Sequence, residues 1–381
     1  MASRRGVLKL IGGGVVLAAV GAGGFVALNQ PSRAAREAWR VAGQETEFRR
    51  RFLSYALLAP NPHNRQPWQV RLEGEDALTL FADLDRLLTA TDPFDRQILI
   101  GCGAFLELLR LAAAEEGYAA EVTPFPEGAP ALDGRLDARP VARVRFVEGA
   151  ATPDPLFAQV LARFTNREVY LPRDVEAAKL AALVAAGTAF GVTAEACGND
   201  ALAAQLRDLT WRGHEIESLT PATMQESIDV MRIGPAEVNQ HRDGLTLEGP
   251  VMGLGHLVGA VTREALADPD SAAFKQGLDM FRARAASARA FVWLTNDGAS
   301  RAGQIEAGRA YMRLTLEVAA QGLAIHPWSQ ALQEYPEIAG LYREVHELIG
   351  GGARLQMLVR VGYANPVVHA PRRPLGDLLS A

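Results

Sequence analysis

The sequence is poor in the residues that build most recognisable catalytic centres. It has two cysteines in 381 residues, Cys102 and Cys197. They stand far apart and lack ligand-type spacing, which argues against a disulfide framework or a cysteine zinc site. One disulfide in an oxidising compartment, or two free thiols, are the readings left. The usual burial of free cysteine favours the thiols. The seven histidines are scattered, with no pair at helical spacing. His63, His214 and His326 therefore read as satisfied structural residues rather than metal ligands. No G-x-G-x-x-G follows a strand, and no phosphate-loop lysine motif or G-x-S-x-G elbow is present. An excess of basic charge is also missing. Lys and Arg number 39 against 44 Asp and Glu, a net charge of −5, with no long basic run. Nucleic acid is accordingly not an expected partner. These absences count against hydrolytic and metal chemistry, and they point to a site whose reactive part is a bound cofactor. No side chain is singled out as an acid, base or nucleophile.

What is present suffices for a folded body. Hydrophobic residues make up 49% and charged residues 22%, and the length allows two domain-sized units at ~150 residues each. Ser3-Arg4-Arg5-Gly6-Val7-Leu8-Lys9 precedes an apolar run from Leu10 to Leu28. A basic head before an apolar stretch is the layout of a secretory signal, and the adjacent arginines resemble the twin-arginine address read by a translocation receptor. Six glycines between Gly12 and Gly24 weaken the run as a membrane helix. Two readings follow for residues 1–35: cleavage near Ala34 and Ala35, or retention of residues 10–28 as an anchor. Either leaves the body in the periplasm or on the outer face of the cytoplasmic membrane.

Periodicity places helices over 46–58, 96–116, 174–186, 201–218 and 303–321, and strands over 68–72, 77–82, 143–147, 192–196, 289–294 and 355–361. The helix over 96–116 is apolar on more than one side and should be buried. Gly103–Gly117 and Gly308–Gly322 can be aligned on their closing glycines, which superposes Leu109 on Leu314, Leu111 on Leu316 and Ala114 on Ala319. This suggests an internal duplication, with a first half over 36–150 and a second over 151–381. Residues 220–261 are rich in Gly, Pro and Met and read as an inserted lid.

Three segments can carry ligand chemistry. Ala59-Pro-Asn-Pro-His-Asn-Arg-Gln-Pro-Trp68 presents the amides of Asn61, Asn64 and Gln66. Those amides can read the edge of a heterocycle or merely cap backbone. Arg163-Phe-Thr-Asn-Arg167 offers two guanidiniums and the Thr165 hydroxyl, as a phosphate clamp or as a solvated charge pair. Pro371-Arg372-Arg373-Pro374 could close on the same phosphate or be a basic tail.

From about Arg51 to Leu379 these motifs resemble the nitroreductase-fold FMN flavoproteins, and more closely their duplicated, twin-arginine-exported, Acg-type branch. The loop Ala59–Trp68 resembles that family's A-P-S-x-H-N-x-Q-P-W, and Arg163–Arg167 its R-x-[ST]-x-R. Gly322-Leu-Ala-Ile-His-Pro327 resembles its G-L-x-x-x-P, and Arg360-Val-Gly-Tyr363 with Pro371–Pro374 its closing strand and basic pair. The resemblance implies an α+β fold: a nitroreductase-like mixed sheet packed with helices, two such halves forming an intramolecular pseudo-dimer, and a lid insertion. It implies one composite FMN site. Arg163, Thr165, Arg167, Arg372 and Arg373 would meet the phosphate. Asn61, Asn64 and Gln66 would reach across from the first half, and backbone around Pro327, Ser329 and Gln330 would face the ring. Asn61 replaces the family's serine, which leaves one or two bonds to the ring unassigned. The first half lacks an arginine clamp of its own, although Arg49–Arg51 are close, so a second flavin site is not expected. The activity implied is electron transfer through FMN to a nitro, quinone or similar acceptor. Flavin sequestration under a closed lid, which the resemblance implies for some members, is the alternative. A cofactor-free scaffold that pairs with a membrane partner is a third reading.

Overall fold

The computed structural model describes residues 29–149 and 151–380. The arginine pair and the apolar run at the N-terminus lie outside the described residues. A short helix α1 (Glu37–Val41) precedes α2 (Phe48–Ala56). The hairpin β1 (Trp68–Glu73) and β2 (Ala77–Ala82) follows, then the long helix α3 (Arg96–Glu115), β3 (Tyr118–Pro124) and β4 (Ala142–Glu148). The second series begins with α4 (Ala177–Gly187) and β5 (Thr193–Cys197). Next come α5 (Ala201–Leu219), α6 (Pro221–Asp229), β6 (Met231–Ile233), α7 (Gly234–Gln240), β7 (Leu245–Leu247), α8 (Pro250–Leu257), α9 (Arg263–Ala267) and α10 (Ala272–Ala286). It closes with β8 (Ala290–Asn296), α11 (Arg301–Ala320), β9 (Ala324–Pro327), α12 (Ala339–Ile349) and β10 (Arg354–Gly362).

The two main sheets have the orders β1-β2-β4-β3 and β5-β8-β10-β9. Counted among its own four strands, each sheet reads first, second, fourth, third. All neighbouring strands in both are antiparallel. Parallel bridges at the edges, Val70 to Leu379 and Thr165 to Ile325, make the sheets mixed. A tight turn over 74–76 joins the first two strands of the first sheet. In the second sheet that turn is replaced by residues 198–289. The insertion is thus longer than the lid expected over 220–261, and most of it is helical. Proline and glycine in this stretch start and stop short helices: Pro221, Pro235 and Pro250 stand in the first turns of α6, α7 and α8.

The halves meet where α3 crosses α11. All but three of the 20 residues of α3 are buried, as an all-round apolar helix requires. Gly103 and Gly308 face each other at the crossing. A β-carbon on Gly103 would overlap the Ile305 carbonyl oxygen and lie 2.9 Å from Gly308 Cα. One on Gly308 would overlap the Ile100 carbonyl and lie 2.8 Å from Gly103 Cα. The contact is reciprocal at the same offset that superposes Gly117 on Gly322. The same offset pairs Arg96 with Arg301, and each reaches into the other half. Arg96 donates to the carbonyls of Leu332 (2.6 Å) and Gln356 (2.8 Å). Arg301 donates to those of Ala131 (2.7 Å) and Gly134 (2.6 Å). Buried Glu107 adds ion pairs across the crossing, to Arg309 at 3.2 Å and Arg313 at 3.3 Å. The cores are shared as well: Ile305, Met312 and Leu316 of α11 sit in the first core, and Ile100 of α3 in the second. Cys102 and Cys197 are free, buried thiols.

Candidate functional site

The loop between α2 and β1 forms one wall of a cavity of about 340 Å³ between the halves. Its backbone is unusual. His63, Asn64 and Gln66 have φ of 46°, 52° and 51°, the left-handed region that non-glycine residues seldom occupy. The conformation is held by the amides. Asn61 Oδ1 accepts from the Gln66 N–H (2.7 Å), and Asn61 Nδ2 donates to the Ala59 carbonyl (3.1 Å). Asn64 Nδ2 donates to the Pro371 carbonyl (3.2 Å), while Asn64 Oδ1 accepts from Arg372 (2.6 Å). Gln66 Nε2 donates to the Arg242 carbonyl (2.8 Å), and its Oε1 accepts from the Arg373 N–H (2.8 Å). The expectation that these three amides present free edges to a ligand is corrected. They are committed to shaping the loop and to fastening the lid and the C-terminal segment to it. Asn61 and Asn64 still line the cavity, whereas Gln66 does not.

The structure gathers Asn61, Asn64, Thr165, Arg167, Pro327, Ser329, Gln330 and Arg372 around this one space. Arg163 lies behind the wall. Its guanidinium donates to the Leu58 carbonyl (2.9 Å), which also accepts from Arg372 (3.0 Å). Two cations thus share one acceptor, and the Nε of each is buried without a partner. Burial lowers the pKa of Arg163 to about 10 and that of Arg372 well below its usual value, the latter also through repulsion from Arg163. Arg167 makes no hydrogen bond or ion pair with any described residue. It is exposed, and it lines the cavity. Loss of bulk solvent and the neighbouring Arg284 lower its pKa.

Arg373 belongs elsewhere. In an extended segment successive side chains point to opposite sides, so adjacent arginines do not close on one phosphate. Arg373 donates to the carbonyls of Gln66 (3.2 Å) and Asp377 (2.7 Å). It lines a second, polar cavity of about 440 Å³. There the lid carboxylate Asp243 pairs with Arg65 (2.8 Å), Arg86 (2.6 Å) and Arg232 (2.9 Å). Those ion pairs make it a fastening between lid and body. The Glu226 carboxylate fastens the lid again, accepting from the N–H groups of Ala90 (2.8 Å) and Thr91 (3.0 Å) and from the Thr91 hydroxyl (2.6 Å).

The remaining walls divide by chemistry. The lid supplies an apolar roof that includes Met224, Met231, Leu245, Leu247, Leu266 and Phe281. The floor includes Ile100, Gly101 and Tyr311 from the two central helices. Two carboxyl groups also line the cavity. Burial pushes Asp92 up to about 6 and Glu217 up to about 7, against the Gln333 amide that donates to Glu217 (2.7 Å). His63, His214 and His326 all line the cavity, and burial drives them down, to about 4, about 3 and well below the usual range. They are uncharged near neutrality. Nδ1 of His63 and of His214 lacks a partner, so these two are not the satisfied structural histidines expected. Seven of the fifteen buried side-chain polar atoms without partners belong to cavity residues: His63, Gln97, His214, Tyr311, Gln330, Gln333 and Arg372. Native interiors seldom tolerate such a concentration, and a polar ligand would relieve it. Ser329 has a different duty, since its Oγ donates to the Leu358 carbonyl (3.1 Å) and pins the 327–330 backbone to β10.

Sequence reasoning missed Asp92, Glu217, Gln333, Tyr311 and the part of the roof beyond 220–261, Leu266 and Phe281. Only Tyr311 carried a signal, as the single phenol on a helix that reads as buried. Arg49, Arg50 and Arg51, near the start of the first half, are held in ion pairs with Glu47, Glu45 and Glu116.

No family model matches the chain. Over 350 residues it is 26% identical to the Mycobacterium tuberculosis protein "Putative NAD(P)H nitroreductase Rv3131", covering 88% of this chain and 92% of that one. Over 71 residues it is 46% identical to "Putative NAD(P)H nitroreductase acg" of the same organism, covering 19% of this chain and 21% of that one. Among solved structures, a protein of Anabaena variabilis named as "a putative nitroreductase" aligns with a TM-score of 0.42 at 11% identity, over 81% of this chain and 82% of that one. The FMN-dependent nitroreductase NfnB of Mycobacterium smegmatis, in complex with NADPH, aligns with a TM-score of 0.36 at 22% identity, over 57% and 94%. The chain is therefore similar, along most of its length, to proteins named as nitroreductases.

Proposed function

We propose that the chain is an FMN-binding oxidoreductase of nitroreductase type, built from two duplicated halves (36–150 and 151–381) and exported by the twin-arginine route. The observation that carries this reading is the cavity between the halves. It combines an unpaired guanidinium, a second cation with an orphaned Nε that Arg163 backs from behind the wall, and a mainly apolar roof. A flat ring system bearing a phosphate matches that combination, and the volume falls within the ~300–1,000 Å³ typical of small-molecule sites. Arg167 and Arg372, supported by Arg163 and with Thr165 beside them, would hold the phosphate by charge-assisted bonds. Backbone at Pro327, Ser329 and Gln330, fixed by the Ser329 hydroxyl, would border the ring. Bound FMN would supply the electron transfer to a nitro, quinone or similar acceptor. The protein's part is to orient the ring, exclude water with the lid and keep the histidines uncharged around it.

Export sets a difficulty for the donor, because reduced nicotinamides are cytoplasmic. The fastening of the lid by Asp243 and Glu226 supports a second reading, in which flavin is held without nicotinamide turnover. Anaerobic mixing of the purified flavoprotein with NADPH and with NADH separates the two. Rapid bleaching of the visible flavin band is the reductase outcome. A stable oxidised spectrum, with bleaching only by dithionite, is the sequestration outcome.

A further inference from the structure

The outer face of the lid carries a patch that the cavity does not explain. On and just after α8, Val251, Leu254, Leu257 and Val258 are 78%, 53%, 71% and 67% exposed. Their spacing of three and four puts them on one stripe of the helix. From Gly249 to Thr262 there is no Asp, Glu, Lys or Arg. Scattered exposed apolar residues are ordinary, whereas a contiguous uncharged group of this size marks a contact surface.

Another side of α8 receives the start of the described chain. Gly253 packs so closely on Asn29 that a β-carbon there would overlap the asparagine side chain. The adjoining residues are tied down beside it. The Ser32 N–H donates to Glu248 Oε1 (2.9 Å), its hydroxyl donates to Asn239, and Arg36 pairs with Glu248 at 2.6 Å. The apolar run from Leu10 to Leu28 therefore joins the body directly alongside α8.

We infer that the exposed stripe of α8 is a membrane-docking surface that lies in the interfacial layer of a lipid bilayer. The run at residues 10–28 points to a bilayer as the occupant, since it is long enough to enter the same membrane at that corner. A short apolar helix lying in the interface plane buries its stripe at the headgroup boundary. Leu245, Leu247 and Leu266 flank α8 in the chain and line the cavity roof. Strand β6, whose Met231 also lines the roof, packs directly against α8. The inference rests on the export reading for which side of the membrane is met, on retention of residues 10–28 as an anchor, and on nothing concerning FMN.

The test uses the full chain as the cell makes it, mixed with vesicles of phosphatidylcholine and phosphatidylglycerol. Leu254→Cys carries an environment-sensitive fluorophore, and Leu161→Cys, also exposed, carries the same probe as a control. The two native thiols are buried. The expected result is quenching by nitroxide-labelled lipid several-fold stronger at 254 than at 161, with co-flotation lowered by the double substitution Val251→Asp, Leu257→Asp. Equal quenching at the two positions would overturn the inference. So would a probe at 254 that is already shielded without vesicles, because a second copy or the N-terminal run would then cover the stripe. Cell fractionation tests export separately. A cytoplasmic location would defeat the export reading and leave the vesicle result to stand or fall alone.

Discussion

Replacing Gly103 by alanine tests the crossing that holds the halves together. Its β-carbon would overlap the Ile305 carbonyl oxygen and stand 2.9 Å from Gly308 Cα. Both obstacles are backbone, so no rotamer change relieves them and the helices must part. Overpacking costs ~1–3 kcal/mol, and the upper part of that range applies where backbone must move. The gain from removing a mid-helix glycine, ~0.5–1 kcal/mol, leaves a net loss of about 2 kcal/mol. At ~2–4 °C per kcal/mol this is a fall in Tm of roughly 4–8 °C, read by circular dichroism or calorimetry. Gly308→Ala should fall by a similar amount. The double mutant should lose less than the sum, because helices already parted accept the second methyl at lower cost. Gly277→Ala is the control: it sits in α10 with nothing within 4 Å of its β-carbon, and it should be neutral or stabilising. Wild-type stability in both crossing mutants, or strict additivity in the double, would refute the reasoning.

Arg167→Ala should weaken FMN binding roughly 10- to 100-fold, because a charge-assisted bond contributes ~1.5–3 kcal/mol; fluorescence titration of apoprotein with FMN measures it. Asp243→Asn should loosen the lid by unpairing three arginines, raising hydrogen exchange over 231–247 and speeding flavin release. Glu217 has a folded pKa raised to about 7 by burial, so the unfolded chain releases its proton at lower pH than the folded one. Its contribution to stability is fully present below the unfolded pKa of ~4.3 and is lost as pH rises toward 7. Glu217→Gln should therefore flatten the fall in urea midpoint across that window.

Much of the scaffold was legible because its signals are local. The helices over 96–116 and 303–321 declare themselves by long apolar runs closed by Gly117 and Gly322, and they match the observed Arg96–Glu115 and Arg301–Ala320 within two residues. The hairpin of β1 and β2 followed from alternation around a polar turn. The lid was harder. Its short elements over 221–267 are held by distant partners such as Arg65 and Thr91, which no window of sequence contains. Helix α12 went unread although Leu341, Val345 and Ile349 recur at four. At the site, residue types were legible and directions were not. Arg372 and Arg373 are neighbours in sequence and serve different cavities. Asn61, Asn64 and Gln66 have the right chemistry for a ligand, yet the strained loop that carries them consumes their amides. The carboxyl groups of Asp92 and Glu217 become significant only through burial, which is a property of the folded chain.

The most direct measurement is the flavin content of the purified full-length protein, by visible spectrum and by mass spectrometry of the chromophore released on heating. The account predicts a yellow protein with about one FMN per chain, the single composite cavity being the only site argued, and loss of the colour in Arg167→Ala, Arg372→Ala. A colourless protein that takes up no flavin after refolding with FMN would contradict it.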